Sequence, residues 1–312
     1  MIIDLSDEAR EYGLQARRAF EAAGGDDLVQ RAEADPNRRE SIVGPVLTGL
    51  GAWELEPRED TDALEAAAAL CRSAGYWALP YPVAERLARP TDLDVDGLLV
   101  VAPPRPTATI TGTDARWVAV TLDGRRHRIT GTSHPGPALT SVLDLTPVDD
   151  GGTDDLPLAL TLPCWTLLGM LDRAIELTIS HVQMRQQFGQ HLSAFQSVQF
   201  QLTDAEVERA GLDMLAKYTL WSVGTRRAEA LDDALALRMA ALEAAEIVFR
   251  VTHQLHGAVG FCDETTLSWL SRHSQPLRRL PLGLSATRDL LTTRVDRRGL
   301  AGLYTPERDV AR

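Results

Sequence analysis

The sequence predicts a mainly α protein with a small β domain between two helical segments. Apolar residues recur at three- and four-residue steps along both ends of the chain, which is the period of an amphipathic helix. In the middle, short β-branched runs alternate with Pro, Gly and Asp clusters, a pattern typical of strands and turns. We therefore predict an N-terminal helical domain over residues 1–90, a reduced β domain over 91–162 and a C-terminal helical bundle over 163–312.

The N-terminal segment predicts four helices. Ser6 can cap the first, whose opening turn carries Asp7 and Glu8, both favourable at the positive end of the helix dipole. Gly24–Gly25 ends that helix. The other three are expected near 38–50, from 61–62 to Gly75, and within the stretch YWALPYPVAERLARP.

The middle segment predicts five or six short strands. Gly-containing breaks at 122–124 and 149–152 indicate turns between them. About seventy residues are few for a free-standing sheet, so we expect this one to pack against helices. The expected strands lie in the runs GLLVVAPP, TATITGT, RWVAVTLDG, HRITGTS and LTSVLDLTPV.

The C-terminal segment predicts long helices with short connections. The second and third of them carry apolar stripes at helical spacing. Because such helices pack antiparallel, we expect a four-helix bundle. The long helices are expected near 164–184, 194–222 and 230–255, and two shorter ones near 264–273 and 285–298.

Composition limits the function classes. The chain has 312 residues, with 44 acidic against 32 basic side chains, which argues against nonspecific binding to nucleic acid. It has no run of 18 apolar residues and no signal-peptide pattern at its N-terminus, so we predict no membrane span and a cytoplasmic location. Cys71, Cys164 and Cys262 lie far apart, which argues against a disulfide scaffold or a structural zinc site.

Two stretches combine cations, amides and glycines at expected helix ends. One runs from Met184 to Gly189 and is followed by Phe195–Gln196, and the other is HQLHGAVGF over 253–261. Helix capping alone would explain both. Alternatively, an Arg fork suits phosphate and a glycine lets the backbone approach a ligand closely, so both stretches could contact an anionic, planar cofactor.

The sequence lacks the common motifs for nucleotide binding, zinc-dependent hydrolysis and serine nucleophiles. It contains no GxGxxG after a strand, no P-loop, no HExxH and no GxSxG. His253 and His256 are three residues apart on an expected helix and could share a metal ion. No third ligand is obvious, so we expect ordinary hydrogen-bonded histidines there and no metal site.

At these two stretches the sequence resembles the acyl-CoA dehydrogenase family. The run over 173–215 resembles the first two helices of that family's C-terminal domain, with their R-x-x-F-G signature and the following F-Q. The run QLHGAVGF resembles the family's Q-x-x-G-G-x-G-F segment. The order of helical domain, β domain and helical bundle also matches, so the resemblance implies an acyl-CoA dehydrogenase-like fold.

The resemblance implies an FAD shared between subunits. In that family one subunit holds the flavin ring, and its neighbour contacts the ADP half of the cofactor through these motifs. Ala258 replaces the second glycine of the Q-x-x-G-G run. Its methyl group leaves less room for the cofactor there. The matching cofactor-binding residues are Arg185, Phe188, Gln196, Gln254, Leu255, His256 and Gly257.

The departures from the family concern the catalytic centre. Residues 91–162 contain nothing like the family's flavin-binding run Y-x-x-T-E-P-x-A-G-S-D. Leu282 stands where the family's catalytic glutamate is expected, and the alternative position of that base falls near Ala159. Removal of a proton α to a thioester requires a positioned base, which neither side chain can supply. We therefore predict no catalytic residue in this chain.

The resemblance thus implies a non-catalytic subunit of a heteromeric, FAD-dependent acyl-CoA dehydrogenase. Its partner would be a longer catalytic subunit, in an α2β2 assembly like those of actinobacterial steroid catabolism. The substrate would be a bulky acyl-CoA thioester in the partner's site, and by family an electron-transferring flavoprotein would accept the electrons. Two alternatives stay open: an active homomeric dehydrogenase whose base is displaced to Asp263 or Glu264, and a helical scaffold without flavin.

Overall fold

The computed structural model describes residues 3–110, 113, 115–133 and 140–299. Within these ranges the protein is mostly helical with one five-stranded sheet, in the predicted order of helical domain, sheet and bundle. The predicted fold class is therefore confirmed.

Five helices precede the sheet. Ser6 caps the first by accepting a hydrogen bond from the Ala9 N–H, and Asp60 caps the fourth through the Ala63 N–H. The sequence analysis missed the second helix, because Gly25 at its N-cap offers no capping side chain. The helices are α1 (Asp7–Ala22), α2 (Asp26–Ala34), α3 (Arg39–Gly49), α4 (Thr61–Tyr76) and α5 (Val83–Leu87).

The middle sheet has the strand order β1-β3-β4-β5-β2. β1 pairs parallel with β3, and the other pairs are antiparallel. Leu98, Val118 and Val120 join the main core with the bundle, as expected for a sheet too small to stand alone. The strands are β1 (Gly97–Val101), β2 (Thr107–Ala108), β3 (Trp117–Thr121), β4 (Arg126–Ser133) and β5 (Ser141–Asp149).

Long helices form the C-terminal bundle, and the first of them is its core. That helix begins at Leu156, so its first turns lie in the segment that the sequence assigns to the β domain. By length and composition the helical stretch Gly151–Met184 could cross a membrane, but 78% of its most apolar part is buried inside the protein. The helices are α6 (Leu156–Met184), α7 (Gln196–Gly224), α8 (Ala230–His256), α9 (Thr266–Arg279) and α10 (Leu284–Arg298).

Two glycines bring α4 and α6 into direct backbone contact. A Cβ atom on Gly75 would lie 1.8 Å from the carbonyl oxygen of Thr166, and one on Gly169 would lie 1.9 Å from that of Arg72. The Arg72 guanidinium also forms a bidentate ion pair with Asp172, with N–O distances of 2.6 and 3.0 Å. The N-terminal helices are therefore fixed onto the bundle.

A buried ion-pair network holds the sheet against the start of α6. Arg126 on β4 is almost fully buried and contacts Asp155 at 2.8 Å and Asp92 at 2.6 Å. Arg58 lies 3.4 Å from the same Asp155 and also donates to the carbonyl oxygen of Ala88. Each buried charge therefore has a partner, and the network links the N-terminal segment, the sheet and the start of α6.

Candidate functional site

The predicted cofactor residues converge at one end of the bundle. α6 and α8 both end there, and the rings of His181 and His256 in their last turns stack with centroids 4.4 Å apart. α7 begins at the same end, after a short hairpin. We call this region the bundle-end face and define it by Arg185, Phe188, Gln196, Gln254 and Gly257. Residues distant in sequence are therefore brought together as the motifs predict.

Phe188 occupies the tip of the hairpin that follows α6. The strands β6 (Gln186–Gln187) and β7 (Gln190–His191) pair antiparallel, and Phe188 and Gly189 between them have φ values of 54° and 81°. These values fit a type I′ turn, which normally has Asn or Gly where Phe188 stands. The Phe188 side chain is 90% exposed and meets Phe195 edge-on, with centroids 6.2 Å apart. An exposed aromatic side chain on a strained backbone suits contact with a ligand or another chain.

Arg185 lies at the C-terminal end of α6. Its backbone N–H donates to the His181 carbonyl oxygen, and its side chain is exposed and forms no ion pair with any residue that the structure describes. The pKa of His181 is lowered by burial, and further by the nearby His256 and Arg185. An unpaired guanidinium at the surface can bind a phosphate group bidentately.

The four predicted cofactor residues at the end of α8 differ in exposure. Gln254 is exposed, and Gly257 has a φ of 63° with no atom within 4 Å of where a Cβ would stand, so the backbone there is accessible. Leu255 and His256 are buried instead, which leaves only their backbone for a ligand. The His256 Nδ1–H donates to the Thr252 carbonyl oxygen at 2.9 Å.

The two neighbouring histidines of this turn make separate ring contacts. His256 stacks on His181, whereas His253 stacks on Phe261 with centroids 4.3 Å apart. Among the residues that the structure describes, no group of three or more His, Cys, Asp or Glu side chains could hold a metal ion. His134 lies outside the described residues.

The predicted base positions lie beside a cleft between the sheet and the bundle. Ala159 on α6 is buried and lines a cavity of about 60 Å³, together with Pro281. The buried Arg238 donates to the carbonyl oxygens of Leu280 and Leu282, both at 2.6 Å, and so holds the turn after α9 across the cleft. Sites for small ligands usually enclose about 300–1,000 Å³. The cavity beside Ala159 is smaller than this range, and the cleft has no carboxylate at either predicted position.

Comparison with known protein families identifies the bundle. Residues 161–281 match the acyl-CoA dehydrogenase C-terminal domain, and this stretch contains the whole bundle-end face. This part of the chain belongs to the acyl-CoA dehydrogenase C-terminal domain family.

Curated relatives match this chain over short stretches. Acyl-CoA dehydrogenase FadE28 of Mycobacterium tuberculosis is 33% identical over 92 residues, which are 30% of this chain and 27% of that protein. The 3-sulfinopropanoyl-CoA desulfinase of Paraburkholderia xenovorans is 27% identical over 111 residues, which are 35% of this chain and 27% of that protein. The matched stretches span about a quarter of either relative.

Solved structures match along almost the whole chain. A variant of the Tcur3481-Tcur3483 steroid ACAD aligns with a TM-score of 0.77 at 19% identity, covering 94% of this chain and 99% of that one. A chain of the ChsE4-ChsE5 complex of Mycobacterium tuberculosis aligns with a TM-score of 0.77 at 18% identity, covering 96% of this chain and 100% of that one. Butyryl-CoA dehydrogenase of Megasphaera elsdenii aligns with a TM-score of 0.70 at 12% identity, covering 95% of this chain and 100% of that one. Identities this low establish the acyl-CoA dehydrogenase fold alone.

The two carboxylates considered as displaced bases lie far from the cleft. Asp263 and Glu264 are exposed and precede α9, and Asp263 forms an ion pair with Arg272 at 2.6 Å. Leu282 follows the other end of the same 14-residue helix, roughly 21 Å away at 1.5 Å per residue. At this distance neither acid can serve as a base at the cleft.

Glu85 is a carboxylate of the cleft that the sequence analysis missed. It lies on α5 and lines both the 60 Å³ cavity beside Ala159 and a second cavity of about 60 Å³ beside Tyr81. Burial raises the pKa of the Glu85 carboxyl to about 6. A glutamate on a short helix resembles a surface residue, and no pattern in the sequence distinguishes it.

Proposed function

We propose that this chain is a non-catalytic subunit of a heteromeric, FAD-dependent acyl-CoA dehydrogenase and that it completes the FAD site of a longer catalytic subunit. The observation that carries the proposal is the cleft: Leu282 and Ala159 stand at the two expected base positions, beside a cavity of about 60 Å³. Leucine and alanine cannot accept the proton that leaves the α-carbon of an acyl-CoA. Two of the structural neighbours are the ChsE4-ChsE5 complex and the Tcur3481-Tcur3483 steroid ACAD, which supports a second subunit.

The bundle-end face fits the ADP half of an FAD bound to a partner. The pyrophosphate is anionic, and the exposed, unpaired Arg185 guanidinium would bind it. Phe188 offers an exposed ring to the planar adenine, while Gln196 and Gln254 present exposed amides and Gly257 an open backbone. When bound, FAD supplies the hydride acceptor. The residues of this chain would only bind and orient it.

The finer parts of the proposal follow from the resemblance. An α2β2 assembly that vacates one pair of sites would leave room for a wide substrate in the other pair, such as a steroid-derived acyl-CoA. The small cleft of this subunit agrees with such a vacated site. An electron-transferring flavoprotein would accept the electrons, and the assembly would work in the cytoplasm.

The decisive experiment compares the chain alone with the chain co-expressed with a longer acyl-CoA dehydrogenase subunit from the same genome. We expect no flavin absorbance in the lone chain, and flavin together with dehydrogenation of an acyl-CoA in the co-purified complex. Flavin and activity in the lone chain would overturn the proposal. A complex without flavin would instead indicate a scaffold.

A second candidate is an active homomeric dehydrogenase that uses Glu85. Its carboxyl lines the cleft, and a pKa of about 6 is suitable for a general base near neutral pH. The small cavity argues against it. If the lone chain oxidises an acyl-CoA, Glu85→Gln abolishes that activity under this second reading, whereas Asp263→Asn leaves it unchanged.

A further inference from the structure

The end of the bundle that carries the bundle-end face also carries most of the histidines of the chain. Of the seven in the sequence, His181, His191, His253 and His256 lie there. His181 is in the last turn of α6, four residues before Arg185, and the charge of that arginine acts on its ring. Histidine is the side chain whose charge changes most readily near neutral pH. This end of the bundle can therefore gain positive charge beyond that of Arg185.

The ring of His181 is held in place but is open to a ligand. It is only partly buried, and neither ring nitrogen makes a hydrogen bond with any residue that the structure describes. One side of the ring stacks on His256, with centroids 4.4 Å apart and planes 21° apart. His256 is 8% exposed and is fixed in turn by its hydrogen bond to the Thr252 carbonyl oxygen. The stack thus orients His181 without using its nitrogens.

The two stacked rings are not balanced by a carboxylate. Burial lowers the pKa of His181, and His256 and Arg185 lower it further. Burial also lowers the pKa of His256, and no acidic side chain shifts the pKa of either ring. Since the ordinary pKa of a histidine is about 6.5, His181 is neutral at neutral pH while no ligand is bound.

The elements packed around the pair add few ionisable groups. Residues 196–203 of α7 and the turn over 257–261 contain none. Asp263 is paired with Arg272, and Glu264 is exposed. The ionisable side chains on these elements are Arg185 after α6, His191 on the hairpin, Arg250 and His253 on α8, Asp263 and Glu264 before α9, and Arg272 and His273 on α9.

A pyrophosphate at this face needs more positive charge than Arg185 supplies. α6 and α8 both end here, so the negative ends of their dipoles point towards the site and disfavour an anion. A pyrophosphate carries negative charge on each of its phosphates. Within residues 181–196 and 253–261, Arg185 is the only side chain with a permanent positive charge. A proton on His181 would supply the missing one.

We propose that His181 binds a phosphate of the cofactor as an imidazolium and takes up its proton from solution when the cofactor binds. Both nitrogens of the charged ring are donors, so either can donate to a phosphate oxygen. A bound anion favours the charged form, so the pKa of His181 rises on binding. His256 acts as a positioning residue through the stack. This inference rests on the proposed function for the identity of the cofactor.

The test is the pH dependence of FAD binding to the co-purified complex, measured by flavin release on dilution. Between the pKa values of free and bound His181, each pH unit weakens a proton-linked binding by up to about tenfold. His181→Gln cannot be protonated there, so it should bind FAD about tenfold more weakly than wild type at pH about 6 and equally at pH about 8. His191→Gln, which changes an exposed histidine outside the stack, is the matched control and should follow wild type at both pH values.

The outcomes separate this inference from the proposed function. If the complex holds flavin and His181→Gln keeps the pH dependence of wild type, the role of His181 is overturned and the proposed function stands. If the complex holds no flavin, the proposed function fails. His181 is then tested in the unsubstituted lone chain by NMR titration of the histidine rings with and without inorganic pyrophosphate. A higher pKa of His181 with pyrophosphate supports the inference, and an unchanged pKa overturns it.

Discussion

The bundle-end face and the cleft differ in what surrounds their charged groups. At the bundle-end face, Arg185 is exposed and has no ion pair within the part of the chain that the structure describes. In the cleft, Arg238 is buried and donates to the carbonyl oxygens of Leu280 and Leu282. The first arginine is available to a molecule outside the chain, and the second stabilises a turn within it.

The two regions also differ in how their apolar residues are placed. Phe188 is held outward by a hairpin whose backbone disfavours a bulky residue, whereas Ala159 and Pro281 line a cavity of about 60 Å³. The strained backbone that keeps Phe188 exposed suggests that the bundle-end face binds another molecule. The small, closed cavity suggests that the cleft does not. Four substitutions test this contrast.

The largest expected effect is on the bundle-end face. Arg185→Ala should weaken FAD binding to the co-purified complex about 10- to 100-fold, because a hydrogen bond to a charged group contributes about 1.5–3 kcal/mol. Flavin release on dilution, followed by fluorescence, measures it. The fold should stay intact, because an Arg in a last helical turn contributes only about 0.3–1 kcal/mol. Arg18→Ala on the exposed side of α1 is the control. If Arg185→Ala and Arg18→Ala bind flavin with equal affinity, Arg185 does not contact the cofactor.

Glu85→Gln tests whether the cleft is only structural. Burial raises the pKa of Glu85 from 4.5 to about 6. As pH rises through this window, the unfolded chain releases the proton first, so the free energy of unfolding falls by about 2 kcal/mol. The neutral variant should lack this loss and be more stable than wild type at pH about 7, but not at pH about 4. Urea unfolding at both pH values measures the difference, and a less stable variant at neutral pH would contradict it.

Phe188→Asn should separate stability from binding. Asn tolerates a positive φ, so the variant should be more stable by about 1 kcal/mol. The same change removes the exposed ring and should lower flavin content of the complex. Thermal unfolding of the lone chain and flavin absorbance of the complex measure the two effects. A gain in stability with unchanged flavin would show that the ring is dispensable.

Leu282→Glu should have the smallest effect on function. It restores a carboxylate at the expected base position, but a cavity of about 60 Å³ still excludes the flavin ring. We therefore expect no acyl-CoA oxidation by the lone variant and no change in activity of the complex. Activity in the lone variant would mean that only the base is missing and that the cleft can open.

The motifs predicted the position of the bundle-end face, because short-range patterns specify helix ends and turns. Arg185, Phe188 and Gly257 follow helices whose limits the apolar period and the glycines predict. The same patterns failed for α2, which has no capping side chain, and for the start of α6, where Leu156 begins an apolar run that also suits a strand. Apolar runs of this kind are ambiguous between helix and strand.

The fold class, the helix-end motifs and the lack of a carboxylate at Leu282 and Ala159 could be predicted from the sequence, because each depends on residue type and local spacing. The burial of Leu255 and His256, the position of Glu85 in the cleft and the distance of Asp263 and Glu264 from it follow only from the folded structure. Burial and proximity depend on which distant segments pack together, and α5 meets the sheet and α9 only in the folded chain.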